Sequence, residues 1–198
     1  MTASVPMQIG SLFSGAGGLD LAAEMVFGGR VVWQAEIDPA AAKVLAHRFP
    51  GIPNLGDITE VDWSTVDQVD VLCGGFPCQD SDSTGGGRHP DARKGHSSQI
   101  IDTALLHGTT AWGKYGPAIA RWESLTRPAP SPTEPNSKGN PRLAAAFSEW
   151  MMGWPAGWVT AVPGVSRNDA LRIVGNGVCP QQAAYALRLL LSAFRTAS

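Results

Sequence analysis

The sequence lacks long apolar runs and has few charged residues. No apolar run approaches the roughly 18 residues that a membrane-spanning helix needs. The first residues, MTASVPMQIGSLF, also lack the basic start and the long apolar stretch of a secretion signal. We therefore expect a cytoplasmic protein that does not cross a membrane.

Cysteine is also scarce. The chain has three cysteines, Cys73, Cys78 and Cys179. An odd number without a C-x-x-C spacing argues against a disulfide framework and against a structural zinc site. The three histidines between residues 89 and 107 share no metal-ligand spacing either. We expect reduced thiols and no bound metal.

Glycine and proline are abundant, by contrast. The 198 residues include 23 Gly and 15 Pro, and these are concentrated between residues 75 and 165. This distribution predicts a middle section rich in loops. Hydrophobic residues make up 43% of the chain, which is enough for one buried core and excludes wholesale disorder.

Charge is distributed unevenly along the chain. Residues 1–80 carry 3 basic and 10 acidic side chains, whereas residues 81–142 carry 8 and 5 and residues 143–198 carry 4 and 2. Two interpretations remain open at this stage. The later segments contact an anionic partner, or the small excesses belong to an ordinary solvated surface.

The first eighty residues alternate between strand-like and helix-like patterns. Strands are predicted over 8–13, 31–37, 52–55 and 69–72, with helical patterns after the first two. Asp38 followed by Pro39 is a favoured start for the second helix. This alternation predicts an α/β fold with a parallel, doubly wound sheet and a site at the carboxyl ends of its strands.

A glycine-rich turn follows the first predicted strand. Gly15, Gly17 and Gly18 let a ligand approach the backbone, and the next helix presents free N–H groups there. Such a turn also occurs without any ligand. Glu36 ends the second strand eighteen residues beyond Gly18, where an acid that binds ribose hydroxyls is usual. We therefore expect a nucleoside-bearing cofactor, and both NAD and S-adenosylmethionine satisfy the pattern.

A cysteine lies just beyond the fourth predicted strand. Cys78 follows a turn containing Gly74, Gly75 and Pro77, whereas Cys73 lies within the strand. We expect Cys73 to be buried and Cys78 to be exposed at the rim of the cofactor site. Cys78 is therefore a candidate nucleophile.

Five segments of the sequence form a recognisable series: LFSGAGGLDLA, AEIDPAA, GDI, GGFPCQ and RIVGNGV. In this order they resemble the cytosine-C5 DNA methyltransferases of phages and bacteria. The resemblance extends to RLAAAFSEWMMGWPAGWV and covers roughly residues 7–80 and 141–192. It implies a truncated Rossmann-like sheet, S-adenosylmethionine as cofactor and double-stranded DNA as partner. The C-terminal helices would dock back on the first helix.

The resemblance also assigns roles to individual residues. Those that would bind S-adenosylmethionine are Phe13, Gly15, Gly17, Glu36, Ile37, Asp57, Ile58, Pro77 and Asn176. Glu36 would hold the ribose hydroxyls, and Ile37 would pack on the adenine. Asp57 and Ile58 would contact the adenine amino group and edge.

Cys78 would be the catalytic nucleophile of such an enzyme. Carbon 5 of cytosine is too weak a nucleophile to take a methyl group directly, but thiolate addition at carbon 6 converts the ring into an enamine that can. The base must first leave the duplex stack. The resemblance therefore implies covalent addition, methyl transfer and elimination at a flipped cytosine.

Two motifs of the family are missing from the sequence. No Glu-Asn-Val and no Gln-x-Arg-x-Arg occurs, and none of Glu123, Glu134 and Glu149 ends an apolar strand. The chain therefore resembles a shortened family member. We divide it into a cofactor-binding and nucleophile-bearing half (1–80), a Gly/Pro-rich remnant of the target-recognition region (81–141) and a C-terminal segment that returns to the cofactor domain (142–198).

The missing middle has structural and functional consequences. The strand ending at Leu72 would become a sheet edge, which favours a homo-oligomer or a complementing chain. An inactive remnant or accessory chain that binds only cofactor or DNA is therefore an alternative to an active methyltransferase. A NAD-dependent oxidoreductase is a third possibility, and PCQ and GNGV argue against it.

Secondary structure can also be predicted for the second half. Helices are expected near 98–106, over AIARWESL, over LAAAFSEWMMG as far as Gly153, and over 168–174 and 180–194. Alternate prolines predict an extended linker over 128–135. Trp150, Trp154 and Trp158 are expected to pack together in a core.

Overall fold

The computed structural model describes residues 5–75 and 112–196. The first range contains β1 (Gln8–Leu12), α1 (Gly18–Phe27), β2 (Arg30–Ala35), α2 (Pro39–Arg48) and β3 (Val71–Gly74). The second contains a 3₁₀ turn (Gly113–Tyr115), α3 (Gly116–Leu125), β4 (Thr133–Pro135), β5 (Pro141–Leu143), α4 (Ala145–Met151), α5 (Arg167–Asn176) and α6 (Pro180–Thr196). The helix expected near 98–106 lies outside these ranges.

The first half forms a parallel sheet with the order β2-β1-β3. Strand β1 pairs with β2 from Gln8 opposite Arg30, and with β3 from Ile9 opposite Val71. Helices α1 and α2 lie in the connections that follow β1 and β2, so the predicted α/β fold is confirmed. Ile9, Ala23 of α1 and Val31 bury their side chains together.

A tryptophan covers the opposite face of the sheet. The indole of Trp33 packs over Gly10, where a Cβ atom would lie only 2.2 Å from the ring. Trp63 packs edge-on against Trp33 with ring centroids 5.8 Å apart. The loop between α2 and β3 therefore shields this face, and only a glycine fits beneath the indole.

The prediction of a full strand over 52–55 is wrong. The structure has one isolated parallel bridge there, between Gln34 and Asn54. Backbone hydrogen bonds join Gln34 N to Pro53 O and Leu55 N to Gln34 O. Because Pro53 has no N–H, it cannot donate to a longer ladder.

Strand β3 forms an edge of the described sheet, as the sequence predicted. It pairs with β1 on one side, and within the described ranges no strand pairs with its other side. Leu72 is 60% exposed on this strand. An apolar side chain on an unpaired strand is a typical site for association with another chain.

The second half differs from the prediction in one segment. Helix α3 forms over the expected AIARWESL, and α4 forms within LAAAFSEWMMG but ends before Gly153. Residues 128–135 are not an extended linker throughout, because β4 pairs antiparallel with β5 in a hairpin. The bond from Asn136 N to Asn140 O closes the turn between these strands.

The tryptophans of the second half belong to two cores instead of one. Trp150 packs with Phe147 and Ile119 beneath α3. Trp154 belongs to a larger core with Val44 of α2 and Val174 of α5, and Trp158 packs against it. The expected role of these tryptophans as core residues is confirmed, but the expected single cluster is wrong for Trp150.

Helix α6 packs along α1, as its apolar pattern predicted. The first turn of α1 also meets the segment between α5 and α6 at close range. A Cβ atom on Gly18 would lie 2.3 Å from the carbonyl oxygen of Val178 and 2.9 Å from the Trp154 ring. The start of α1 and the segment before α6 are therefore in contact at a position where only a glycine fits.

We expect Gly18→Ala to destabilise the fold by ~1–3 kcal/mol, because the new methyl group would overpack against a backbone carbonyl. Chemical denaturation measures the loss of unfolding free energy. Gly175→Ala in α5 is the matched control, since nothing lies within 4 Å of a Cβ there. That change should be neutral or stabilising. Equal stability of the two variants would contradict the close approach.

Candidate functional site

A small cleft opens at the carboxyl end of β1. Its cavity measures about 40 Å³. Three segments of the chain line it: the end of β1 with the start of α1, the residue after β3, and the end of α5 with the residues that follow. The lining residues are Ser11, Leu12, Phe13, Ser14, Gly15, Ala16, Gly18, Leu19, Gly75, Asn176, Gly177 and Val178. We call residues 13–18 the glycine-rich loop and this cavity the N-terminal cleft. The site lies where an open parallel sheet is expected to bind ligands.

The glycine-rich loop has an unusual backbone. Phe13, Gly15 and Gly17 have φ angles of 53°, 56° and 80°. This left-handed region is accessible to glycine but uncommon for phenylalanine, so the loop needs support from its surroundings. Gly17 packs against the Phe49 ring, whereas its neighbours Ala16 and Gly18 line the cleft.

Glu36 lies directly beside the loop. Its carboxylate accepts hydrogen bonds from the backbone N–H of Gly15 and of Asp38, both at 2.8 Å. One oxygen serves each donor, so each keeps a second lone pair for another donor. The geometry therefore suits a ligand hydroxyl at this carboxylate, the function that the sequence predicted for Glu36.

Asn54 holds Glu36 in place, and sequence reasoning missed it. Its side-chain amide accepts from Glu36 N at 2.9 Å and donates to Glu36 O at 3.0 Å. The same amide oxygen accepts from Gly56 N at 3.2 Å. Asn54 therefore fixes the segment that contains Asp57 alongside the end of β2. An asparagine two residues before the Gly-Asp pair was the available signal.

The residues predicted to contact adenine lie on more open surface. Ile37 is 68% exposed, which leaves its side chain available to a planar ring. Asp57 accepts from the N–H and the hydroxyl of Thr59, and these bonds hold the pKa of its carboxyl below the usual range. Ile58 is partly buried next to it.

Asn176 reaches the cleft from the C-terminal half. It is the last residue of α5 and lines the cavity together with Gly177 and Val178. Gly75 lies on the rim, immediately after β3. The predicted site residues Pro77 and Cys78 lie outside the described residues.

A buried polar network supports the base of the cleft. The carboxylate of Asp20 accepts from the Ser11 hydroxyl at 2.9 Å and from the Gln34 amide at 2.7 Å. The Ser14 hydroxyl extends this network by donating to Ser11. Burial raises the pKa of Asp20 above its ordinary value, although both hydrogen bonds oppose the shift.

The same surroundings make Cys73 a poor nucleophile. Its thiol is partly buried, not fully buried as the sequence suggested. Burial, together with the nearby Asp20 carboxylate, raises the pKa of Cys73 to about 11. The thiol is therefore protonated at neutral pH, whereas nucleophilic attack requires the thiolate.

A larger cavity of about 420 Å³ lies next to the N-terminal cleft. The two share Gly177 and Val178, and the other lining residues of the larger cavity are Trp122, Met151, Met152, Cys179 and Gln182. None of these lining side chains is charged. A ligand with sugar hydroxyls would therefore find no carboxylate acceptor there, in contrast to the cleft beside Glu36.

A nucleoside cofactor fits the cleft in part. The glycine-rich loop suits the polar end of the cofactor. The Glu36 carboxylate suits its ribose, and the exposed Ile37 suits its base. Small-molecule sites usually measure ~300–1,000 Å³. The enclosed cleft is smaller, so much of a nucleoside would lie along the open surface by Ile37 and Asp57.

A comparison with protein families identifies the first part of the chain. Residues 7–96, a little under half of the chain, match the model of the C-5 cytosine-specific DNA methylases. The matched residues belong to that family. The match includes the glycine-rich loop, Glu36, Asp57 and the Pro77-Cys78-Gln79 segment.

Individual methylase relatives match over about a third of the chain. Type II methyltransferase M.MspI from Moraxella sp is 48% identical over 68 residues, which are 34% of this chain and 16% of the relative. Type II methyltransferase M.HhaI from Haemophilus parahaemolyticus is 44% identical over 68 residues, 34% of this chain and 20% of the relative. The matches therefore span a fifth or less of these methylases.

A third relative has a different named target. The DNA N-6-adenine-methyltransferase of Escherichia phage P1 is 42% identical over 74 residues, which are 35% of this chain and 10% of the relative. Similarity therefore extends to a methylase named for adenine, so it does not by itself assign one target base.

Within 5–75 and 112–196, no group of three or more metal-ligating side chains comes together. In the same ranges, no helix is long and apolar enough to cross a membrane.

The raised pKa of Asp20 predicts how stability depends on pH. Above about pH 3.8, the ordinary value, the unfolded chain releases the proton that the folded protein still holds. The unfolding free energy therefore falls as pH rises, until the folded carboxyl ionises as well. The loss is ~1.4 kcal/mol for each unit by which the pKa is raised.

The Asp20→Asn variant should lack this loss. Urea denaturation from about pH 4 to about pH 7 measures the unfolding free energy. We expect the difference between the variant and the unmodified protein to increase in favour of the variant as pH rises. Asp62→Asn is the control, because Asp62 is an exposed carboxyl with a lowered pKa. Parallel pH profiles for the unmodified protein and Asp20→Asn would disprove the shift.

Proposed function

We propose that the chain binds S-adenosylmethionine at the N-terminal cleft and transfers its methyl group to carbon 5 of cytosine in double-stranded DNA. One observation carries this proposal. The glycine-rich loop and Asn176, which are distant in the sequence, line one cleft, and the Glu36 carboxylate accepts a hydrogen bond from Gly15 N of that loop. Gly75, three residues before Cys78, lies on the rim of the same cleft.

The residues around the cleft suit the parts of this cofactor. The Glu36 carboxylate would accept the ribose hydroxyls, and Ile37 and Ile58 would pack against the adenine. Asp57 keeps one carboxylate oxygen that Thr59 does not use, and this oxygen would accept from the adenine amino group. Asn176 would close the cleft from the C-terminal side.

Cys78 is our candidate for the nucleophile. The thiol of Cys73 stays protonated, and Cys179 is buried beside Gln181. The Cys78 thiolate would form a bond to carbon 6 of the flipped cytosine. Carbon 5 would then take the methyl group that the bound cofactor supplies. Loss of the carbon 5 proton and of the thiolate would restore the aromatic ring.

The Pro77-Cys78-Gln79 segment supports cytosine as the target base. A thiol nucleophile is needed for methylation at a ring carbon, because that carbon must first be activated by addition. An exocyclic amino group carries its own lone pair and needs no such addition. A cysteine four residues beyond β3 in the sequence is therefore more useful for cytosine than for adenine.

A chain that binds cofactor without turnover is the second candidate, and the glutamates favour it. Glu123 accepts from Ala129 N, and Glu134 pairs with Arg142 and Arg167. Glu149 is buried and accepts from three backbone N–H groups. All three glutamates that follow Cys78 in the sequence therefore already bind backbone N–H groups or arginines. Acid assistance at the cytosine ring, worth ~100- to 10,000-fold, has no glutamate to supply it.

We also propose that a second copy or a complementing chain covers the edge of β3. Leu72 is exposed on this edge. Tyr185, Leu189, Leu190 and Phe194 are exposed along α6. A helix that is apolar on most of its surface is usually buried. Such a partner would supply sheet and helical cover that residues 5–75 and 112–196 do not contain.

Calorimetric titration with S-adenosylmethionine tests the cofactor assignment. We expect binding by the unmodified chain and at least about tenfold weaker binding by Glu36→Gln, because hydrogen bonds to a charged group contribute ~1.5–3 kcal/mol. Glu60→Gln, an exposed change in the same half, should bind as the unmodified chain does. No heat with S-adenosylmethionine would remove the assignment, and heat with NAD instead would favour an oxidoreductase.

Duplex DNA containing 5-fluorocytosine tests the chemistry, because fluorine at carbon 5 prevents the elimination step. With S-adenosylmethionine present, we expect a covalent protein–DNA adduct visible by denaturing electrophoresis. Cys78→Ser should abolish the adduct, and Cys179→Ser should preserve it. Cofactor binding without any adduct would support the non-catalytic candidate.

A further inference from the structure

We propose that Trp158 is a positioning residue for the glycine-rich loop, and this inference rests on the proposed cofactor binding. The indole N–H of Trp158 donates to the carbonyl oxygen of Ala16 at 2.8 Å. The two residues are 142 positions apart in the chain. Ala16 lines the N-terminal cleft, so a side chain from the C-terminal half contacts the loop at the proposed site.

The hydrogen bond fixes one peptide group of the loop from both ends. Trp158 holds the carbonyl of the peptide between Ala16 and Gly17, and the N–H of that same peptide donates to Ser14 O at 2.8 Å. The peptide plane therefore cannot rotate without losing a bond. This restraint lies between the two left-handed residues Gly15 and Gly17, where the backbone has the most freedom.

Trp158 is itself held firmly. Arg48, the last residue of α2, donates from Nε to the Trp158 carbonyl at 2.7 Å. Its guanidinium lies 5.2 Å from the centre of the indole ring, within cation–π range. The Phe49 ring packs edge-on at 6.0 Å, and the same ring covers Gly17.

Glu149 fixes the turn that carries Trp158. Its buried carboxylate accepts from the N–H groups of Gly157 and Val159, both at 2.7 Å, and from Thr160 N at 3.0 Å. These donors include the residues on either side of Trp158. The indole is therefore fixed through its ring, its carbonyl and its neighbours before it contacts Ala16.

Trp154 offers a matched comparison within the same core. Its ring lies 5.7 Å from that of Trp158, and it packs against Gly18 of the loop. Its indole N–H is buried and has no hydrogen-bond partner. Replacing either tryptophan with phenylalanine removes similar apolar area, but only the change at Trp158 removes a hydrogen bond to the loop.

The test compares Trp158→Phe with Trp154→Phe in the full chain. Amide hydrogen exchange of residues 15–18 is measured without cofactor, and the affinity for S-adenosylmethionine by calorimetry. Trp158→Phe should speed loop exchange and weaken the affinity by about fivefold or more, the effect of one hydrogen bond. Trp154→Phe should change both quantities less, because it removes packing against Gly18 but no hydrogen bond to the loop. Melting temperatures of both variants separate these effects from global destabilisation.

Equal effects of the two variants, or no effect of Trp158→Phe on exchange, would overturn the inference. If the unmodified chain does not bind the cofactor, the proposed function fails, while the exchange data still test the role of Trp158. Should Trp158→Phe fail to fold, exchange of the Trp158 indole proton in the unmodified chain replaces it. A protected proton supports the inference, and one that exchanges at the rate of an exposed indole contradicts it.

Discussion

The close contact between the start of α1 and the segment before α6 is the constraint on which the site depends. Gly18 approaches the Val178 carbonyl so closely that a methyl group would collide with it. This contact places the Asn176 side of the chain against the glycine-rich loop and creates the N-terminal cleft. Without this contact, the first half would keep the glycine-rich loop and the Glu36 carboxylate, but Asn176, Gly177 and Val178 would not line the cleft.

The loop is supported from two directions by different chemistry. On the sheet side, the buried Asp20 binds Ser11 and Gln34, and burial raises the pKa of this carboxyl. On the C-terminal side, the Trp158 indole holds Ala16. A buried acid with a raised pKa costs stability at neutral pH, so the polar support is not optimal for stability alone. Natural proteins often retain such groups beside functional sites.

Sequence patterns predicted the elements of the first half well, because their signals are local. The apolar runs of β1 and β2, the Asp38-Pro39 helix start and the glycine-rich turn each depend on neighbouring residues. Two predictions failed where local signals compete. Pro53 reduced a strand to one bridge, and the prolines near residue 133 allowed a hairpin that a linker reading did not anticipate. In both cases strand pairing decided the outcome, since Gln34 pairs with Asn54 and β4 pairs with the strand that follows it.

The sequence alone indicated the family of residues 7–96, the α/β order and the candidate residues Glu36 and Cys78, since motif spacing and strand ends depend on residues that are consecutive in the chain. Only the tertiary structure revealed what holds Glu36 and the glycine-rich loop. Asn54 fixes Glu36, and Trp158 reaches Ala16 across 142 positions. Such contacts form when the folded core brings distant segments together, so local sequence patterns do not predict them.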